Sequence, residues 1–141
     1  MADGHERVVV HVDGGSRGNP GPAGVGAVVT SPEGETLAEE GRYIGEETNN
    51  VAEYKAVLLG LELARSVGAR EVEVVNDSQL VARQIGGQYK VKNKGLQPLF
   101  LETMAALREF DKWGVRDVRR EHNVRADELV NEALDEAAAR R

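Results

Sequence analysis

A chain of 141 residues, 40% hydrophobic and 30% charged, has the size and make-up of a single globular domain with one core, residues 1–141. No apolar run approaches the roughly 20 residues that a membrane-spanning helix needs, and the absence of cysteine excludes a disulfide framework and any thiolate-held metal. The net charge of −6 weighs against broad phosphate binding, although two bound divalent cations would offset about four of those units and net charge says nothing about local patches.

Residues 1–7 contain Asp3 and Glu6 and no apolar stretch, so they read as neither a secretory nor a transit segment. A cytoplasmic location is the expectation, and the lack of cysteine fits a reducing compartment. Residues 7–12 are a β-branched run that reads as a first strand, followed by the turn-rich segment DGGSRGNPGP at 13–22 and a second strand over 25–30. Pro32, Glu33 and Gly34 make a turn, and residues 36–43 return as a third strand. Connections this short join antiparallel neighbours.

Tyr54, Val57, Leu58, Leu61 and Ala64 recur at i, i+3, i+4, i+7 and i+10, a helical stripe that Gly68 is placed to end. Residues 71–75 form a fourth strand, residues 77–85 a short helix broken by Gly86 and Gly87, and residues 95–110 a second helical segment. A brief fifth strand covers 115–118. Ala126, Leu129, Val130, Ala133, Leu134 and Ala137 then keep the apolar stripe of a final helix. The order is βββαβααβα. It predicts an α/β fold with a five-stranded mixed sheet, strands 1–3 antiparallel, flanked by helices.

Four acids lie at element termini, where a carboxylate can point into a crevice outside the strand ends. Asp13 ends the first strand, Glu53 begins the first helix, Asp77 follows the fourth strand and Asp127 sits in the first turn of the last helix. Each has a local alternative: Asp13 as a turn residue, and Asp77 and Asp127 as cap or first-turn residues that complement the helix dipole. Glu53 is the least comfortable, because its i+3, i+4 and i+7 neighbours are Ala56, Val57 and Gly60, small or apolar residues that permit close approach to the sheet. A carboxylate held there needs a positive partner, and a hard divalent cation suits oxygen ligands.

Other chemistries fit worse. The chain has no phosphate-binding G-x-x-x-x-G-K-[ST] loop, and Gly24-Val25-Gly26 lacks the context of a dinucleotide fingerprint, so no nucleotide cofactor is expected. His5, His11 and His122 show no zinc-ligand spacing, and Ser16 and Ser78 follow no nucleophile elbow. One Trp, three Tyr and two Phe leave little for the sugar platform of a glycosidase.

The segments DGGSRGNPGPAG at 13–24, TNNVAEYKAVLLGL at 48–61, NDSQLV at 76–81 and REHNVRADELVNEAL at 120–134 resemble, in order and spacing, ribonuclease H type 1 in its short prokaryotic form. The resemblance implies the ribonuclease H-like fold and cleavage of the RNA strand of RNA/DNA hybrids, leaving 5′-phosphate and 3′-hydroxyl ends. It places Asp13, Glu53, Asp77 and Asp127 on the family's metal-binding catalytic tetrad, holding two Mg²⁺ ions, with Mn²⁺ as a substitute. Asp13 would bridge both ions, with Glu53 and Asp77 on one side and Asp127 on the other.

Gly14, Gly15 and Ser16 match the family's RNA-contacting loop. Asn19, Asn49, Asn50 and Gln79 match its contacts in the hybrid minor groove, where an amide both donates and accepts as a 2′-hydroxyl does, and Thr48 resembles a phosphate contact. From the residues alone, Asn49 and Asn50 read as a turn and helix cap. A monomer with no membrane attachment is implied.

The chain departs from many members in two ways. In place of a long basic protrusion it has only Tyr89 to Lys94, whose Lys90, Lys92 and Lys94 also read as a solvated loop. The histidine that many members carry on a flexible loop has its nearest counterpart in His122, only five residues before Asp127 and equally readable as a strand-end residue. Arg120, Asn123 and Arg125 are candidates for phosphate contact or for ordering that loop, and Asn123 for capping the final helix. Two rivals stand beside this reading: a DNA-cutting nuclease on the same fold, and a non-catalytic hybrid-binding module.

Overall fold

The computed structural model describes residues 6–140; His5 and the reading of residues 1–5 lie outside them. β1 (Arg7–Ser16), β2 (Gly21–Thr30) and β3 (Thr36–Glu47) form an antiparallel meander. β4 (Glu71–Asn76) then pairs parallel with β1, and β5 (Lys112–Asp117) parallel with β4, giving the sheet order β3-β2-β1-β4-β5. The helices are α1 (Asn49–Ser66), α2 (Gln79–Ile85), α3 (Gln97–Leu107) and α4 (Val124–Ala139), with a 3₁₀ turn at Arg120–His122. The βββαβααβα order and the five-stranded mixed sheet are those expected from the sequence periodicities. Among the described residues no helix is long and apolar enough to cross a membrane.

The two long helices pack on opposite faces of the sheet. A Cβ added at Gly60 of α1 would sit 2.5 Å from Val10 Cγ1 and 2.7 Å from Val12 Cγ1, with Ala27 next to them. One added at Gly26 of β2 would sit 2.4 Å from the Ala126 carbonyl of α4. Ala27 and Gly26 are neighbours on one strand, and successive strand residues face opposite ways, so α1 covers one face and α4 the other. The side chains of Val8, Val10, Val12, Val72 and Val74 are fully or almost fully buried on the α1 side with Tyr54, Val57 and Leu61. Each such aliphatic side chain removed from water contributes about 1.5–3 kcal/mol.

Boundaries differ from expectation where pairing overrides local preference. Residues 14–16 were expected in a turn, since glycine is a poor strand former. Instead Gly14 pairs with Val25, Gly15 with Gly24 and Ser16 with Ala23, so the ladder carries β1 three residues beyond Asp13. β5 begins at Lys112 rather than at residue 115, drawn into register with Glu71. α1 begins at Asn49, so Glu53 stands in its second turn rather than at its start. Gly68 does end that helix: at φ +80° its N–H donates to the Arg65 carbonyl at 3.0 Å, and Ala69 N–H reaches the Ala64 carbonyl at 3.1 Å.

Candidate active site

By register Asp13 lies opposite Gly26 and so shares the α4 face, whereas Glu53 arrives from α1 on the other face. Asp77 follows directly on the last residue of β4. The three meet past the end of β4: one carboxylate oxygen from each lies within 4.8 Å of the others. Asp127, in the first turn of α4, lies beside Asp13, close enough to help raise its carboxyl. The four line a crevice of about 200 Å³ together with Gly14, Gly15, Ser16, Arg17, Asn49, Arg120 and Asn131, among others.

Each acid is placed by an identifiable contact. Gly14 N–H donates to Glu53 Oε1 at 2.7 Å. A Cβ at Gly14 would stand 2.2 Å from the Ala52 carbonyl, so only glycine lets α1 come this close. Asn76 is wholly buried at the end of β4, and its Oδ1 accepts Ser78 N–H at 2.6 Å, a tight turn that presents Asp77. Ser78, not Asp77, caps α2, its side chain accepting from Val81 N–H at 3.2 Å. Asn123 occupies the N-cap position of α4 without capping it; its amide donates instead to the Val12 carbonyl at 2.7 Å and ties α4 to β1.

The electrostatics are those of like charges out of water. Asp13 is pushed up to about 9, first by burial and then by Glu53, Asp77 and Asp127. Burial, with the Asp77 charge adding to it, raises Glu53 to about 7 against the lowering effect of the Gly14 N–H. The nearby cation is Arg120 of the 3₁₀ turn, whose Nε is 3.4 Å from Asp77 Oδ2. That oxygen is buried and has no hydrogen-bond partner.

Of the expected substrate residues, Gly14, Gly15, Ser16 and Asn49 line the crevice. Asn49 Oδ1 accepts Ser16 N–H at 3.3 Å, and Asn49 N–H donates to Asn19 Oδ1 at 3.0 Å, which braces α1 against the β1–β2 segment. Thr48, rather than Asn49 or Asn50, is the cap of α1, accepting Val51 N–H at 3.3 Å. Asn50 is partly exposed at the start of α1 and Gln79 exposed at the start of α2; neither lines the crevice. His122 is exposed on the 3₁₀ turn, not at a strand end, and is likewise outside the lining. Lys90, Lys92 and Lys94 are exposed between α2 and α3. Arg125 is not directed at the crevice; it bonds Glu39, Glu128 and Glu132.

Two lining residues had not been singled out from the sequence. Arg17 stands inside the glycine-rich segment, and Asn131 lies one helical turn after Asp127, a spacing that puts both on one face of α4.

A family model described as "Reverse transcriptase-like" matches residues 11–133. A bifunctional protein of Mycobacterium tuberculosis is 47% identical over 94% of this chain; the chain spans 36% of that relative's length. The ribonuclease HI of Halobacterium salinarum is 45% identical over 93% of this chain and 66% of its own. A crystal structure of RNase H1 from that organism superposes with a TM-score of 0.90 over 92% of this chain and 98% of that one. A solved LC11-RNase H1 in complex with RNA/DNA hybrid is 46% identical with a TM-score of 0.89, covering 93% of this chain and 99% of that one. With the same fold and this degree of identity along nearly its whole length, the chain belongs to the ribonuclease H family, type 1.

Proposed function

We infer that this chain is a single-domain, monomeric endonuclease that hydrolyses the RNA strand of RNA/DNA hybrids with two divalent cations, leaving 5′-phosphate and 3′-hydroxyl ends. The observation that carries this reading is the convergence of Asp13, Glu53 and Asp77 oxygens within 4.8 Å, with Asp127 beside them. The donor set fits the ions: all are hard carboxylate oxygens, and Asp77 Oδ2 is buried without a hydrogen-bond donor. Mg²⁺ matches such oxygens, with Mn²⁺ as a substitute. Asp13, Glu53, Asp77 and Asp127 would hold them. When bound, the pair of cations supplies an activated water and stabilisation of the leaving 3′ oxygen.

The chain's own residues then have separable tasks. Glu53 and Asp13, held partly protonated by burial, must release protons as the site loads, so loading depends on pH. Gly14 N–H keeps Glu53 aimed at the cluster, and Arg120 steadies Asp77. Gly14, Gly15 and Ser16 present backbone to the RNA strand beside the acids, and Asn19, Asn49, Asn50 and Gln79 offer amides to successive 2′-hydroxyls. Thr48 serves a phosphate. His122, exposed five residues before Asp127, assists proton transfer or product release. The RNase H1 that has been solved with a hybrid supports the choice of substrate.

The test is cleavage of end-labelled RNA/DNA hybrid, double-stranded RNA and duplex DNA with Mg²⁺ and with EDTA. Cutting confined to the RNA of the hybrid and abolished by EDTA is expected. Hybrid bound but never cut would favour a binding module instead, and cutting of duplex DNA a different nuclease.

A further inference from the structure

We propose that Asn131, oriented by Arg17, is a positioning residue that fixes the Asp127 carboxylate relative to the other three acids. The proposal rests on the metal-dependent reading above. Asp13, Glu53 and Asp77 stand on or next to β1, α1 and β4, which are locked together by the sheet and by the Gly14–Glu53 bond. Asp127 is anchored at its backbone, by Asn123 on Val12 and by Ala126 against Gly26, which fixes the helix and not the rotamer of the carboxylate. It comes from α4, is partly exposed, and falls outside the 4.8 Å grouping of the other three. A partly exposed helical aspartate samples several rotamers unless something selects one, and misplacement of a reacting group by about 1 Å is costly.

Asn131 supplies that selection from one turn later on the same helix. Its Nδ2 donates to the Asp127 carbonyl at 3.2 Å and to Asp127 Oδ2 at 3.4 Å. The other end of the same amide, Oδ1, accepts from Arg17 Nη2 at 3.4 Å, and that Nη2 also donates to Asp135 Oδ1 at 2.7 Å. A guanidinium only donates and a carboxylate only accepts. Turning the Asn131 amide over would therefore set its oxygen against Asp127 and its NH₂ against Arg17, so Arg17 dictates which end faces the acid.

Arg17 belongs to the segment joining β1 to β2, and Asp135 lies one turn beyond Asn131. The relay Asp135–Arg17–Asn131–Asp127 thus clips the acid-bearing face of α4 to the end of the strand that carries Asp13. These contacts are exposed, and surface pairs of this kind add little to stability. What the relay contributes is orientation of one ligand.

Mn²⁺ titration of substrate-free protein, read from the electron paramagnetic resonance of the free ion, tests this alongside the Mg²⁺ dependence of hybrid cleavage. The proteins are the full chain, Asn131→Ala, Arg17→Gln, the double variant and Asp13→Asn, with thermal melts in EDTA to check folding. Asn131→Ala is expected to weaken Mn²⁺ binding, and to raise the Mg²⁺ needed for half-maximal cleavage, by about tenfold, the lower end of what outer contacts to metal ligands cost. Arg17→Gln should shift both in the same direction by a smaller factor, and the double variant should match Asn131→Ala because Arg17 acts through the amide.

Unchanged metal dependence in Asn131→Ala, with Mn²⁺ binding lost in Asp13→Asn, would overturn the positioning role and leave the metal site standing. Asp13→Asn binding Mn²⁺ as the unaltered chain does would overturn both readings. An Arg17→Gln effect confined to KM for hybrid, and additive with Asn131→Ala, would assign Arg17 to the substrate and break the relay.

Discussion

The N–H of Gly14 donates to Glu53 Oε1 across 2.7 Å, which joins the strand that carries Asp13 to the helix that carries Glu53. That bond exists because α1 reaches β1 at backbone distance, a Cβ at position 14 being only 2.2 Å from the Ala52 carbonyl. Gly14→Ala should push the two elements apart, stretch the bond and move Glu53 away from Asp13. A fall in kcat of about 100-fold or more is expected, since displacements near 1 Å in a catalytic set have that cost. Steady-state cleavage rates and a thermal melt check it; full activity would mean that the Gly14–Glu53 spacing is unimportant.

The metal-free protein should lose stability as pH rises. Glu53 is raised from 4.5 to about 7 and Asp13 from 3.8 to about 9, so between those limits the folded state binds more protons than the unfolded one. Stability contributed by these protonated acids is complete below about pH 4 and is lost progressively as pH climbs through 7 and toward 9. Melts in EDTA at pH 5, 7 and 9 should show a falling midpoint, a smaller fall for Asp13→Asn, and recovery at high pH on adding Mg²⁺. An EDTA midpoint that rises across this range would contradict the raised values.

Asn123→Ala removes a buried donor and leaves the Val12 carbonyl short of a partner. A loss of about 1–3 kcal/mol is expected from such an unpaired buried group, readable as a lowered urea midpoint with unchanged slope. Because Asn123 anchors the start of α4, four residues before Asp127, cleavage should fall as well.

Lys90, Lys92 and Lys94 are exposed on the segment between α2 and α3. If they meet the phosphates of the hybrid, changing all three to Ala should flatten the plot of log affinity against log salt by about 2–3 units, near one per lost contact. Fluorescence titration at several salt concentrations measures this. An unaltered slope would make the segment a solvated loop.

Much of this architecture was legible in the sequence because it is periodic. The stripes Tyr54–Val57–Leu61 and Ala126–Leu129–Val130 mark the faces that α1 and α4 bury on the sheet, and the acids stand out against them. Gly14 and Gly15 misled, since their lack of strand preference says turn whereas the partners Val25 and Gly24 on β2 keep them in the ladder. The supports of the acids were hidden for a different reason. Asn123 bonds Val12 and Arg17 bonds Asp135, pairs 111 and 118 residues apart that follow no local rule. Even Asn123, plausible as a cap from its position, puts its amide to another use once β1 lies within reach.

The most direct test of the acid cluster is RNA-strand cleavage by the unaltered chain and by Asp13→Asn across a Mg²⁺ titration, with hybrid affinity measured on the same preparations. Asp13 lies between Glu53, Asp77 and Asp127, so neutralising it should lower cleavage by about 1,000-fold or more, roughly 4 kcal/mol of barrier, while hybrid still binds. Cleavage by Asp13→Asn within a few-fold of the unaltered chain, at any Mg²⁺ concentration, would contradict a reaction carried by metal ions held at these four carboxylates.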